Sequence, residues 1–110
     1  MDRLMWILKE LKIPYAYDHF AQGEAIDPPF ICYRYPSSDN FGADGIAYVK
    51  INVVHLELYT DKKDPELEKK IERLLDQSGY FYDKSETFID SEKLYEVLYI
   101  FEEEANDSKE

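Results

Sequence analysis

With 110 residues the chain has room for one hydrophobic core and not for two. Its 45% hydrophobic content excludes a disordered polymer, and its formal charge of -11 excludes a binder of nucleic acid or anionic membrane, which needs lysine and arginine in excess. The lone cysteine, Cys32, rules out a disulfide within the chain, and its apolar neighbours favour an inert, buried thiol.

The first twelve residues place Leu4, Ile7, Leu8 and Leu11 on one helical face behind Asp2 as a cap, and the helix must end before Pro14. Charges at helical spacing interrupt this segment, so it does not read as a secretory signal, and no run of the sequence is long enough for an apolar helical span. A soluble, intracellular origin is expected. Tyr15 to Phe20 alternates weakly as a short strand, and a polar turn follows through Gly23 and Glu24. Pro28-Pro29 sets an extended entry to a strand over Phe30 to Tyr35, which Pro36 should stop. Ser37 to Gly45, with two glycines and no alternation, reads as a long loop, either a mobile tip or a contact element.

Ile46 to Thr60 is the longest strand-like run in the chain. Its fifteen residues would reach roughly 50 Å at about 3.3 Å each, beyond the diameter of about 34 Å of a compact body of this length. Such a strand must bend or project. Val49, Ile51 and Val53 share one parity and Val54, Leu56 and Leu58 the other, which places a β-bulge at Val53-Val54 and leaves a second apolar face in need of a partner.

Asp64-Pro65-Glu66 starts a second helix, with Leu67, Ile71, Leu74 and Leu75 as its apolar stripe and Gly79 as its left-handed cap. Tyr80 to Tyr82 with Thr87 to Ile89 forms one interrupted strand. Leu94 to Phe101 forms the last, with Tyr95, Val97, Tyr99 and Phe101 on one face and Leu98 and Ile100 making the other face apolar as well. From Glu102 onward five acids stand against one lysine, a net -4 that leaves -7 on the residues before it. The expected organisation is one α+β domain over residues 1–102, a mostly antiparallel sheet of about five strands with two helices in the order α-β-β-β-α-β-β, and a disordered acidic tail over 103–110.

No catalytic, cofactor or metal constellation emerges. His19 and His55 lack the spacing of a local metal pair. Asp39 to Gly45 resembles a calcium loop only superficially, because Phe41 and Ala43 stand where oxygen ligands belong. Gly42 and Gly45 precede no helix start, so no phosphate loop forms, and Cys32 has no flanking signature of a nucleophile. Ten tyrosines in so short a chain suit a surface that meets protein partners, or else the outer parts of the sheet.

Five segments carry a resemblance that covers nearly the whole chain: YDHF at Tyr17 to Phe20, PPF at Pro28 to Phe30, NFGADG at Asn40 to Gly45, ELYTDKKDPELE at Glu57 to Glu68 and SEKLYEVLY at Ser91 to Tyr99. These look like small prophage-encoded proteins of Gram-positive bacteria, and by size and element order the chain is similar to phage tail-terminator and head–tail completion proteins. The resemblance implies a non-enzymatic subunit, assembled in the bacterial host cytoplasm and located in the virion. It also implies a homo-oligomeric ring, commonly a hexamer, that meets tail-tube or connector proteins at the head–tail joint. Asn40 to Gly45 would then reach a neighbouring subunit or the lumen. Interface residues are expected among Tyr33, Tyr35, Asn40, Phe41, Asp44, Tyr48, Tyr59, Tyr95 and Tyr99. The alternative is an acidic adaptor or inhibitor that engages a host protein through an aromatic sheet surface.

Overall fold

The computed structural model describes residues 2–21, 26–43 and 46–104, the backbone only for 41–43 and 46–49. Helix α1 (Arg3–Leu11) is capped by the Asp2 carboxylate, which accepts from the Leu4 N–H at 2.9 Å, and it ends at Lys12 in a left-handed conformation (φ 57°) before Pro14. Helix α2 (Pro65–Gln77) starts as its sequence dictates: Asp64 accepts from the Leu67 N–H at 3.1 Å and Pro65 occupies the first turn. At its end Gly79 takes φ 80°, which lets the Tyr80 N–H reach back to the Leu75 carbonyl at 3.0 Å.

Five strands form the main sheet: β1 (Tyr15–Tyr17), β2 (Phe30–Ser38), β5 (Ile51–Thr60), β6 (Tyr82–Ile89) and β7 (Leu94–Glu104), in the spatial order β1-β2-β5-β7-β6. All neighbours are antiparallel except β1 and β2. The remaining strands, β3 (Phe41–Ala43) and β4 (Ile46–Val49), pair with each other as a separate two-stranded arm. The architecture is the expected α+β one, with both helices on one face of the sheet. Leu4, Ile7 and Leu8 of α1 and Ile71, Leu74 and Leu75 of α2 share a single core with Ile31, Val54, Leu56, Leu58, Val97, Tyr99 and Phe101.

Several boundaries differ from the sequence expectation, among them the expected loop from Ser37 to Gly45, of which Ser37 and Ser38 end β2 and Phe41–Ala43 form β3. The run from Ile46 to Thr60 is interrupted at Lys50: its first part joins the arm, and only Ile51–Thr60, about 33 Å of strand, lies in the main sheet. The chain thereby both fits its core and projects, and its longest axis measures 48 Å. The bulge is on β2. Arg34 pairs with His55 and Ser37 with Val53, so β2 holds one residue more than β5 between these pairs, while β5 and β7 stay in unbroken register from Ile51 to Thr60. Pro36 sits inside this bulge and does not end β2, because beyond Tyr17 no strand follows on that side that would need its N–H. At the other end of the chain β7 runs on to Glu104, two residues into the segment expected to be a tail, and β6 is continuous.

Candidate interaction surface

Strand alternation sends Val54, Leu56, Leu58 and Thr60 of β5 under the helices and turns Ile51, Val53, His55, Glu57 and Tyr59 to the opposite face. Among the described residues no helix covers that second face. Register adds Phe30, Cys32 and Arg34 from β2, Glu96, Leu98, Ile100 and Glu102 from β7, and Asp83, Ser85 and Thr87 from β6.

The centre of this face is acidic and aromatic. Tyr59 stacks on Phe30 at 5.1 Å, and Phe20 meets Phe30 edge-on at 5.4 Å. The Tyr59 hydroxyl lies 3.0 Å from Glu57 Oε1 and 3.2 Å from Glu96 Oε2, so the two carboxylate oxygens are no more than 6.2 Å apart. One phenolic proton cannot satisfy both carboxylates at once. Burial, with the Glu57 charge added, holds the Glu96 carboxyl above the usual carboxylate range. Burial and the same two carboxylates also push the Tyr59 phenol well up. Arg34 Nε, 3.7 Å from Glu57, offers partial compensation. Burial and Arg34 lower the His55 imidazole, against the opposing pull of Glu57. Cys32 is 6% exposed, and burial with the Glu57, Asp18 and Glu96 charges pushes its thiol up to about 11. It is therefore protonated at neutral pH, the opposite of what a nucleophile requires.

Toward the arm, apolar and acidic side chains stand side by side, Val53 opposite Glu102 and Ile100 opposite Asp83. Val53, Phe81, Asp83, Ile100, Phe101 and Glu102 line a cleft of about 500 Å³. Phe81 stands at its rim with 88% of its surface exposed, the most exposed large apolar side chain among the described residues.

The expected interface residues separate into three groups. Tyr33, Tyr35, Tyr95 and Tyr99 lie on the helix-bearing face. Tyr99 is a correction: it is fully buried and its hydroxyl donates to Glu72 at 2.8 Å, so it belongs to the core and not to a surface. Tyr33 and Tyr35 pack against the same core in a cluster with Tyr15 and Tyr17, and Tyr95 meets Phe88 at 4.9 Å. Among the described side chains, Tyr59 alone of the tyrosines is on the open face. Asn40, Phe41 and Tyr48 lie at the root and in the strands of the arm, where the Asn40 side-chain oxygen accepts from the Ile51 N–H at 3.1 Å. Asp44 lies outside the described residues.

Glu57, Glu96 and Phe81 were not singled out by pattern. Glu57 and Glu96 become neighbours only through the β5–β7 pairing, and Phe81, in the middle of the strand reading over Tyr80 to Tyr82, precedes β6 and stands exposed. Among the described residues no group of three histidine, cysteine, aspartate or glutamate side chains is arranged to hold a metal ion. No described helix is long and apolar enough to cross a membrane. Comparison with protein-family models gives no match, and comparison with curated proteins gives none either.

Proposed function

We propose that the chain is a non-enzymatic virion-assembly subunit, a tail-terminator or head–tail joining protein, that associates with copies of itself into a ring at the end of the tail tube. The observation that carries this reading is a sheet face of mixed apolar and acidic side chains that no helix covers among the described residues, since α1 and α2 both pack on the other side. Five strands about 4.8 Å apart, from about 10 Å (β1) to about 36 Å (β7) long, present roughly 600 Å² in projection, below the ~800 Å² that each partner contributes to a standard interface but of the same order. A ring needs two different complementary patches on each subunit, and this chain offers a face and a projecting arm. Its negative charge keeps DNA from adhering to a lumen through which it must pass.

Light scattering on the purified protein, alone and with tail tubes, tests the proposal. Ring-sized particles, or subunits bound to tube ends, are the expected result; a monomer that ignores tubes refutes it. The Glu57–Tyr59–Glu96 centre also favours a second reading, an acidic adaptor that docks a basic patch of a host protein. That reading requires one stoichiometric host partner, together with normal virions when the gene is deleted.

A further inference from the structure

Strand pairing sets three hydrogen-bonding groups in a row on the sheet face that no described helix covers. Glu57 and Tyr59 stand two residues apart on one side of β5, and Glu96 of β7 pairs with Tyr59. The Tyr59 hydroxyl lies between the two carboxylates, 3.0 Å from Glu57 and 3.2 Å from Glu96, and its ring is held by the stack on Phe30. The Glu57 side chain is 12% exposed and has Arg34 Nε at 3.7 Å; among the described residues Glu96 has no basic side chain at ion-pair distance.

With both carboxylates ionised, the phenol has one proton for two acceptors, and the second acceptor must turn to water. One added proton completes the set. Protonated Glu96 then donates to the Tyr59 oxygen, Tyr59 donates to Glu57, and Glu57 faces Arg34, so every O–H has an acceptor and the one remaining anion has its counter-ion. The ionised arrangement depends on water at the face, because a covered charge without a partner is costly; the protonated relay does not.

The other groups on this face do not substitute for that proton. From β2 come Cys32, a neutral thiol, and Arg34, already set against Glu57; from β5 comes His55, whose imidazole burial and Arg34 lower. β6 presents Thr87 opposite Glu96, and its Asp83, with Glu102 of β7 and Asp18 after β1, adds only further acid. A second copy of the chain, with 24 acidic residues against 13 basic ones, brings no surplus of cations.

We infer that docking of this face onto a second copy is coupled to the protonation of Glu96: the covered centre holds one proton more than the uncovered one, in a relay from Glu96 through Tyr59 to Glu57. The inference rests on the proposed self-assembly and names what regulates it. Covering the face removes water and favours the neutral acid, so association takes up a proton. Association is therefore strongest below the value at which Glu96 titrates in the single chain, and it weakens as pH rises through the value Glu96 has when covered.

The test compares the parent with Glu96→Gln by light scattering between about pH 5.5 and about pH 8, alone and with tail tubes. Glutamine keeps a neutral relay at every pH, its amide donating to the Tyr59 oxygen in place of the acid. The parent should associate at least about tenfold more tightly at the lower pH, with a slope of up to about tenfold per pH unit for one proton per contact. Glu96→Gln should match the parent at the lower pH, exceed it by about tenfold at the higher, and keep only the shallow slope that the overall negative charge produces. Parallel slopes for the two proteins overturn the coupling and leave the assembly reading standing. Association of the parent that weakens as pH falls also overturns it, and marks a partner that brings its own cation. A parent that stays monomeric throughout, on tubes as well as alone, refutes the assembly reading and the coupling with it.

Discussion

Replacing Glu96 by glutamine should stabilise the protein, although it removes a hydrogen-bonded side chain. Glu96 and Glu57 share the Tyr59 hydroxyl with their oxygens no more than 6.2 Å apart. Two unit charges at that distance repel by about 3 kcal/mol at an effective dielectric of about 20. Arg34, 3.7 Å from Glu57, and water over the half-open face reduce this to about 1 kcal/mol. The sign follows from linkage. Burial and Glu57 raise the folded-state pKa of Glu96, so its contribution is fully present below the unfolded carboxylate value and is lost as pH rises through the folded one. Glutamine keeps the neutral form at every pH. Urea unfolding should therefore show E96Q more stable than the parent by about 1 kcal/mol at pH 7.5, with the gap closing below about pH 4 and the urea dependence unchanged. A destabilised E96Q at pH 7.5, or a gap that does not vary with pH, would refute the account of two carboxylates competing for one phenol.

Ile71 is fully buried beneath α2, and Ile71→Asp should cost more than about 4 kcal/mol and abolish the cooperative far-UV melt, since a charge there has neither water nor partner. Glu68, 4% exposed, is disfavoured by burial, yet the ammonium groups of Lys63 and Lys84 outweigh this and hold its carboxyl below the usual range. Its contribution is thus present above the ordinary carboxylate value and lost as pH falls through the depressed one. Lys84→Met, which also frees Glu72, should cost about 1–2 kcal/mol at pH 7 and less near pH 3, as followed by denaturant unfolding. Cys32 should react with a thiol reagent at pH 8 only as fast as the protein opens, and labelling at the rate of a free thiol would contradict its burial.

Both helices were legible because their signals are local. Asp64-Pro65, the stripe ending at Leu75 and Gly79 each act within a turn or two of where they stand. The central strand was less so, because β-propensity runs on through Lys50 although the chain changes sheets there, and which residues pair is a matter of distant partners. The parity slip at Val53-Val54 came from a strand with apolar residues on both faces; the extra residue belonged to its neighbour, next to Pro36. The tyrosines misled for a related reason. Tyr80 and Tyr99 are buried because Glu103 and Glu72 accept their hydroxyl protons, partners that lie 23 and 27 residues away. Glu68 stands in the first turn of α2, where an acid complements the positive end of the helix, and only the fold brings Lys84 to it.

The flank of the sheet beside β2 limits how copies can meet. Past Tyr33 the Tyr35 N–H is taken by the Tyr17 hydroxyl at 3.2 Å, and Pro36 has no N–H at all, so an incoming chain finds no ladder to extend there. The far flank, β6, exposes Asp83, Lys84 and Glu86, charges that discourage a foreign backbone from aligning. Strand-to-strand addition of the kind that leads to fibrous, amyloid-like stacking is thereby disfavoured at both margins.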